Sequence, residues 1–280
     1  MVFIRVNFGG FIPLSTVDWR GRSVCTVFLR GCPLQCSYCQ NEAIQTGEDF
    51  RTTDEIMEMI DGSVRFVSGV VFSGGEPTLQ KDALLELAGR VKATGLSVGV
   101  HTNGFFPDTL QALLEKHLVD KIALDYKTRW EGFSRRWEGF SSIPRSLYGK
   151  NVQKSLTLCK DAFRSGTLPE FEIVVTVFPG NEQDVKNISD ETWSLPFVLQ
   201  QGEHKIGKSP ETASAATQIT NGTYITMKTA LQETHPPLSC EELKNLADEL
   251  GRTVRIRTRT LGELEYEGHR SRRPARKRKR

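Results

Sequence analysis

Long apolar segments are absent from this 280-residue sequence. No run approaches the ~20 apolar residues that a membrane helix needs, so no transmembrane helix and no membrane partner are predicted. The first ten residues also lack a basic stretch followed by an apolar one, as a secretory signal would have, and we expect a cytoplasmic protein. Cysteine is scarce, with six residues, and three of them lie within eight positions. This grouping excludes the dispersed pattern of a disulfide framework.

Acidic residues are missing from the end of the chain. Residues 270–280 contain only basic charges, although the whole sequence has a net charge of just +3. Because this segment offers no apolar surface to bury, we expect residues 268–280 to form a disordered basic tail. It would follow a single domain at residues 1–267. Basic residues bind nucleic acid through phosphates, but without interleaved aromatic residues this tail is weak evidence, and we expect no nucleic-acid partner.

The middle of the chain alternates short β-like runs with amphipathic segments. Strands rich in Val, Ile and Phe are predicted at residues 24–30, 69–72, 96–101, 121–125, 171–177 and 197–200. Helices are predicted at 53–62, 80–94, 107–116, 152–164, 183–193 and 239–250, and a last strand at 253–257. The first helix has Thr53 and Asp54 as candidate N-caps, and residues 128–150 are predicted to form a loop. Repeated βα units predict an α/β fold with a mostly parallel sheet, either a partial or complete barrel or an open sheet.

Three cysteines directly follow the first predicted strand. Cys32, Cys36 and Cys39 are separated by three and then two residues, so a loop can bring their thiolates together. Thiolate sulfur selects zinc, copper(I) or an iron–sulfur cluster. Structural zinc and cubane clusters usually take four protein ligands, so three cysteines leave one metal position open for a substrate. The alternative is a zinc site completed by Cys25 or His101, although Cys25 lies in an apolar strand and is better explained as a core residue.

The spacing of these cysteines, with the aromatic Tyr38 before the last one, resembles the signature of the radical S-adenosylmethionine superfamily. The resemblance implies an α/β fold of the partial (βα)6 barrel type. It also implies a [4Fe–4S] cluster held by Cys32, Cys36 and Cys39, which are then the catalytic and metal-binding residues. The amino and carboxylate groups of S-adenosyl-L-methionine would chelate the unique iron, with Tyr38 beside the adenine.

A glycine motif ends the second predicted strand. Gly74 and Gly75 carry no side chain, so a ligand can approach the backbone closely, and Glu76 adds a hydrogen-bond acceptor. The motif is similar to the superfamily segment that binds the methionine amino group. All three residues are therefore candidates for cofactor binding.

The third and fourth predicted strands end in polar motifs. Thr102 and Asn103 follow His101 in a segment similar to the Asp-Thr-Asn-Gly of glycyl-radical-activating enzymes, which lies at the cofactor. His101 replaces an aspartate that helps hold a monovalent cation in some members, so the resemblance carries no cation site over. Asp125 and Lys127 alternate with apolar residues and can face one side of a strand. The resemblance makes Lys127 a candidate for binding the methionine carboxylate and Asp125 for the ribose or ammonium region.

Within the superfamily, the sequence resembles the activating proteins of anaerobic ribonucleoside-triphosphate reductase. The similarity lies in residues 13–22, in Cys39-Gln40-Asn41, and in residues 72–80 and 199–201. It implies an oxidoreductase that takes an electron from a donor such as flavodoxin or ferredoxin and cleaves S-adenosylmethionine to methionine and a 5′-deoxyadenosyl radical. That radical would abstract hydrogen from a glycine of the partner, while the protein supplies binding, orientation and exclusion of water.

Two other functions stay open from the sequence. A small-molecule radical enzyme, such as a 7-carboxy-7-deazaguanine synthase, also has a short core. Its cluster segment usually ends in Cys-Asp-Thr, however, where this chain has Gln40 and Asn41. A non-catalytic zinc-binding or nucleic-acid-binding protein is suggested by the basic tail alone.

Overall fold

The protein folds around a ten-stranded sheet. The computed structural model describes residues 4–36, 38–127, 144–203 and 236–268. The strands are β1 (Arg5–Ser15), β2 (Val24–Leu29), β3 (Phe50–Thr52), β4 (Gly69–Gly74), β5 (Ser97–Thr102), β6 (Lys121–Asp125), β7 (Glu170–Val177), β8 (Phe197–Gln201), β9 (Thr253–Thr258) and β10 (Gly262–Glu267). Their order is β10-β9-β8-β7-β6-β5-β4-β2-β1-β3. Within the described ranges the sheet is open, since no pairing joins β10 to β3.

The central part of the sheet is parallel and its edges are antiparallel. Strands β2 and β4 to β9 pair in parallel, whereas β1, β3 and β10 pair antiparallel. The helices are α1 (Thr53–Asp61), α2 (Lys81–Ala93), α3 (Pro107–Glu115), α4 (Arg145–Ser165), α5 (Glu182–Glu191) and α6 (Cys240–Leu250). Helices alternate with the parallel strands along the chain, which confirms the predicted α/β class and parallel sheet.

The core lies between the sheet and the helices. Alternate residues of the central strands are fully buried there, among them Val98 and Val100 of β5 and Ile122 and Leu124 of β6. Leu87 of α2 belongs to the same apolar cluster. Each such side chain stabilises the fold by about 1.5–3 kcal/mol when it leaves water. Buried parallel strands therefore appear in the sequence as continuous Val, Ile and Leu runs, and all seven predicted strands are found, including the last one at 253–257.

The sequence patterns do not predict the antiparallel edge strands. β1 contains Gly9 and Gly10 and is exposed over residues 12–14, so it lacks the apolar run of a buried strand. β10 alternates Glu with Leu and Tyr, as an edge strand with one solvent face does. Both strands extend the sheet beyond its predicted limits.

Two helix starts differ from the predictions. Helix α4 begins at Arg145, so the predicted loop is wrong for residues 145–150, while residues 128–143 lie outside the described ranges. Helix α1 is capped by Thr52, not by Thr53 or Asp54. The Thr52 hydroxyl accepts from the Glu55 N–H at 3.2 Å, and the Glu55 carboxylate accepts from the Thr52 N–H at 2.7 Å.

Residues 269–280 of the predicted basic tail lie outside the described ranges, as do residues 204–235. No described helix has the length and apolar character needed to cross a bilayer.

The β1–β2 connection closes one end of the sheet on the face opposite the helices, which we call the inner face. Trp19 of this connection is fully buried, and its Nε1 donates to the carboxylate of Glu170 at the start of β7 at 3.0 Å. Arg20 forms an ion pair with Glu265 of β10, with 3.1 Å between Nη1 and Oε2. The sheet is therefore curved enough for the β1–β2 connection to reach its opposite edge, and the amino-terminal ends of the parallel strands are covered.

Candidate functional site

The predicted motifs meet at the opposite, carboxyl-terminal edge of the sheet. The cysteine segment follows β2, Gly74 ends β4, Thr102 ends β5 and Asp125 ends β6. These four strands are parallel and adjacent, so their carboxyl ends lie side by side. Ligand sites of α/β proteins form at such edges.

The loop that carries the cysteines is closed at its base by hydrogen bonds. The Gly31 N–H donates to the Ile44 carbonyl at 2.8 Å, and the Cys32 N–H donates to the Gln45 carbonyl at 3.0 Å. The Arg30 guanidinium donates to two more carbonyls of the returning segment. Gly31 has a φ of 98°, a conformation that favours glycine. Both ends of the loop are thereby held at the end of β2.

The three loop thiols are free and influence one another electrostatically. Cys32 and Cys36 pack against the core between sheet and helices. Burial raises the pKa of Cys32 to about 12, and the charges of Glu76 and Cys36 add to this rise. Burial also raises the pKa of Cys36. A metal that binds these thiols therefore has to displace their protons.

Gly74 and Gly75 join the end of β4 to the strand that leads into the cysteine loop. The Gly75 N–H donates to the Leu29 carbonyl at 2.8 Å. A Cβ atom on Gly75 would lie 2.2 Å from the Gly31 oxygen, and one on Gly74 would lie 2.4 Å from the Leu29 oxygen. The sequence led us to expect a close approach to these glycines, and in the structure the backbone of Leu29 and Gly31 makes one.

Glu76 is completely buried and holds the ends of β4 and β5 together. Its Oε1 accepts from the Thr78 N–H at 3.0 Å, from the Thr78 hydroxyl, and from the Thr102 hydroxyl at 2.7 Å. Its Oε2 accepts from the Asn103 N–H at 2.7 Å. Burial raises the pKa of Glu76, while these donors oppose the rise. Both oxygens of Glu76 therefore have protein donors, and the carboxylate holds the Thr102 hydroxyl and the Asn103 N–H in place.

The Asn103 side chain lies between the backbone and a thiol. Its Oδ1 accepts from the Phe105 N–H at 3.0 Å. Its Nδ2 lies 3.8 Å from Sγ of Cys32 and donates to it. The same sulfur accepts from the Leu34 N–H at 3.4 Å. Two N–H donors therefore face Cys32.

Asp125 and Lys127 form an ion pair beside an aromatic ring. Nζ of Lys127 lies 5.3 Å from the ring centroid of Tyr38, which in turn lies 4.8 Å from that of Phe178. Burial would lower the pKa of Lys127, but Asp125 and other neighbours hold it well above its usual value. Oδ1 of Asp125 is buried without a hydrogen-bond donor from the described residues. The pair offers a cation and an available carboxylate oxygen, which suit the carboxylate and ammonium groups of an amino acid.

The donor set fits an iron–sulfur cluster better than the zinc site considered from the sequence. Cys25 is fully buried in the core between sheet and helices. His101 lies among the charged residues Lys121, Glu172 and Asp18. Neither residue is therefore placed to complete a zinc site. In the part of the chain that the structure describes, no three His, Cys, Asp or Glu side chains could hold a single metal ion.

A group of buried and partly buried charges on the inner face was not predicted. This inner-face ion cluster consists of Lys121, Glu172, Arg255, Arg257 and Glu263. Lys121 lies 3.3 Å from Glu172, Arg255 lies 3.2 Å from Glu263, and Arg257 lies 2.8 Å from Glu263. Burial would raise the pKa of Glu172, but the three cations hold it at about 2. Charged residues at every second position of otherwise apolar strands are the sequence signal that could have revealed this cluster.

His101 also lies on the inner face. Burial lowers its pKa to about 4, and the positive charge of Lys121 contributes to the shift. Its Nε2 is buried and has no hydrogen-bond partner within the described ranges. The imidazole is therefore neutral near pH 7, unlike the aspartate at this position in the Asp-Thr-Asn-Gly segment that the sequence resembles.

Sequence similarity identifies the family. The model of the Radical SAM superfamily matches residues 26–191, which are more than half of the chain and include the cysteine loop and the motifs at the ends of β4, β5 and β6. The chain belongs to the radical SAM superfamily. This radical SAM enzyme accordingly uses the superfamily's cofactors, a [4Fe–4S] cluster and S-adenosylmethionine.

Two curated relatives and one solved structure illustrate the similarity of this radical SAM chain. A Methanocaldococcus jannaschii protein with the provisional name glycyl-radical enzyme activating enzyme is 38% identical over 204 residues, which are 72% of this chain and 82% of the relative. The pyruvate formate-lyase-activating enzyme of Clostridium pasteurianum is 33% identical over 36% of this chain and 44% of the relative. The structure of TYW1 with a lysine-pyruvate adduct bound has a TM-score of 0.55 and 12% identity, and covers 90% of this chain and 83% of TYW1. That last similarity concerns the fold alone.

Proposed function

We propose that this radical SAM enzyme activates a glycyl radical enzyme by removing a hydrogen atom from a glycine of that partner. The observation that carries the proposal is the 38% identity to a relative provisionally named for this activity, of which the chain covers 82%. The Clostridium pasteurianum relative is likewise named as an activating enzyme. The Cys39-Gln40-Asn41 sequence and residues 13–22 narrow the proposed partner to an anaerobic ribonucleoside-triphosphate reductase.

We assign the cluster to Cys32, Cys36 and Cys39, whose loop is held at the end of β2. The reduced cluster, when bound, supplies the electron that cleaves S-adenosylmethionine to methionine and the 5′-deoxyadenosyl radical. Lys127 supplies a positive charge for the methionine carboxylate, and the available oxygen of Asp125 accepts from the ammonium or ribose region.

The remaining predicted residues shape the wall of this site. Tyr38, which packs on Phe178, offers an aromatic face to the adenine and limits the access of water. Gly74 and Gly75 keep β4 close to the cysteine loop. Glu76 fixes Thr102 and Asn103 from behind, and therefore supports binding without contacting the cofactor through its carboxylate.

The small-molecule alternative is disfavoured by Asn41. In 7-carboxy-7-deazaguanine synthases the resemblance places a threonine at this position, next to a magnesium ion. Here Nδ2 of Asn41 donates to the Gly74 carbonyl at 3.0 Å. Asn41 thus connects the end of the cysteine segment to β4, which is a structural role and needs no metal ion at this position.

The test is anaerobic purification with reconstitution, followed by incubation with S-adenosylmethionine, dithionite and the reductase encoded in the same genome. We expect about four irons per chain, 5′-deoxyadenosine, and a glycyl-radical doublet in electron paramagnetic resonance. Cys36→Ala should abolish all three, whereas Cys240→Ala, outside the loop, should retain them. 5′-Deoxyadenosine without a glycyl radical would refute the partner, and zinc in place of iron would refute the proposed function itself.

A further inference from the structure

Asn103 contacts the proposed cluster site through a thiol. Its Nδ2 lies 3.8 Å from Sγ of Cys32, a hydrogen-bond distance for a sulfur acceptor. We propose that this N–H donation raises the reduction potential of the cluster and so makes Asn103 a positioning residue for electron uptake. The inference rests on the proposed assignment of the cluster to Cys32, Cys36 and Cys39.

The orientation of the Asn103 amide follows from its other partners. The Phe105 N–H can only donate, and it lies 3.0 Å from Oδ1. The amide oxygen is therefore on the Phe105 side, which leaves Nδ2, a donor without acceptor capacity, facing the sulfur. A thiolate that is bound to iron still accepts hydrogen bonds, so the donor suits the loaded state.

The backbone of Asn103 is held on both sides. Its N–H donates to Oε2 of the buried Glu76 at 2.7 Å. The Phe105 carbonyl accepts from Nδ2 of Asn151 at 2.9 Å, and the Gly104 carbonyl accepts from the Ser155 hydroxyl at 2.7 Å, both from α4. The side chain is thus presented to Cys32 from a segment that is fixed by two other elements.

The donor has a defined effect on electron transfer. The external reductant gives one electron to the cluster, which gains one negative charge, and no bond forms or breaks. Part of the added charge resides on the thiolate sulfurs, so an N–H that points at one of them stabilises the reduced state more than the oxidised state. Cys32 receives this donor in addition to the Leu34 N–H at 3.4 Å. The potential should therefore fall when the Asn103 amide is removed.

The experiment is an anaerobic redox titration of reconstituted full-length protein, monitored by the paramagnetic resonance signal of the reduced cluster. Asn103→Ser keeps an oxygen that can accept from the Phe105 N–H but is too short to donate to Cys32. Asn103→Asp keeps the shape and replaces the donor by an oxygen. Asn151→Ser is the matched control, because it removes an amide that holds the same loop through the Phe105 carbonyl and not through Cys32. Iron content is measured for each protein.

We expect about four irons per chain in all four proteins. The equilibrium constant for one-electron reduction should fall about tenfold in Asn103→Ser, equivalent to about 59 mV, and further in Asn103→Asp. Asn151→Ser should match wild type. An unchanged potential in Asn103→Ser, an equal fall in Asn151→Ser, or loss of the cluster from both Asn103 variants would overturn the inference. A wild-type protein without iron would instead overturn the proposed function on which it rests.

Discussion

Gly75 packs against Gly31 so closely that a Cβ atom on Gly75 would lie 2.2 Å from the Gly31 oxygen. The contact joins the end of β4 to the residue that precedes Cys32. Glycine is required at position 75 because of this backbone contact, and the cysteine loop depends on it.

The first prediction follows from that contact. Gly75→Ala should displace the base of the cysteine loop, lower the free energy of unfolding by about 1–3 kcal/mol, as overpacking does, and reduce the iron bound after reconstitution. The control is Gly89→Ala in α2, where the nearest atom to a Cβ is 3.9 Å away. A helix-interior Gly→Ala change should raise stability by about 0.5–1 kcal/mol. Full iron loading in Gly75→Ala would contradict this explanation.

A second prediction concerns the buried carboxylate of Glu76. Glu76→Gln replaces one acceptor oxygen by an NH2 group that faces protein donors, so the apoprotein should lose about 2–3 kcal/mol. Urea unfolding followed by circular dichroism measures the loss. Glu86→Gln, at an exposed position of α2, should shift the unfolding midpoint little. Equal midpoints for the two variants would mean that the hydrogen bonds of Glu76 do not hold β4 and β5 together.

The third prediction concerns stability in acid. The pKa of Glu172 is about 2 in the folded protein against an ordinary value of 4.5. A depressed carboxyl pKa gives stability that is present above pH 4.5 and is lost as the pH falls towards 2. The contribution is about 3 kcal/mol. The free energy of unfolding, measured from pH 6 to pH 3, should therefore fall less steeply in Glu172→Gln than in wild type. Glu265→Gln is the control, since the Glu265 side chain is 57% exposed, and it should keep the wild-type slope.

A fourth prediction concerns stability at higher pH, between about 6.5 and 4. The pKa of His101 is lowered from 6.5 to about 4 by burial and by Lys121, so between these values the unfolded chain binds a proton that the folded protein does not. Stability should accordingly decrease as the pH falls from 6.5 to 4. His101→Gln should remove this part of the pH dependence. His117→Asn is the control, since His117 is exposed and its φ of 54° is one that Asn tolerates. If the free energy of unfolding of His101→Gln changed with pH as in wild type, groups other than His101 would determine the pH dependence in this range.

The sequence predicted the parts of this molecule that depend on local patterns. Runs such as 121–125 and 171–177 indicated buried strands, and polar residues at their ends indicated the edge where Cys32, Asp125 and Lys127 lie. It did not predict β1, because the glycines and exposed residues of that strand depend on its pairing with β2.

The partners of single side chains were also beyond sequence patterns. The four protein donors around the carboxylate of Glu76, a candidate for cofactor binding, were not predicted. The Asn103–Cys32 contact joins residues 71 positions apart. Such contacts are set by how β2, β4 and β5 align in the sheet, which no local pattern encodes.

The β1–β2 connection has a consequence for the order of folding during synthesis. Trp19 meets Glu170, 151 residues later, and Arg20 meets Glu265, 245 residues later. These two contacts, which cover the inner face, join residues far apart in the sequence. Such contacts form late because a long loop has to close first. A nascent chain that has emerged from the ribosome without β7 to β10 therefore lacks the Glu170 partner of Trp19 and the Glu265 partner of Arg20, so the cover of the inner face is completed only after the last strands have been synthesised.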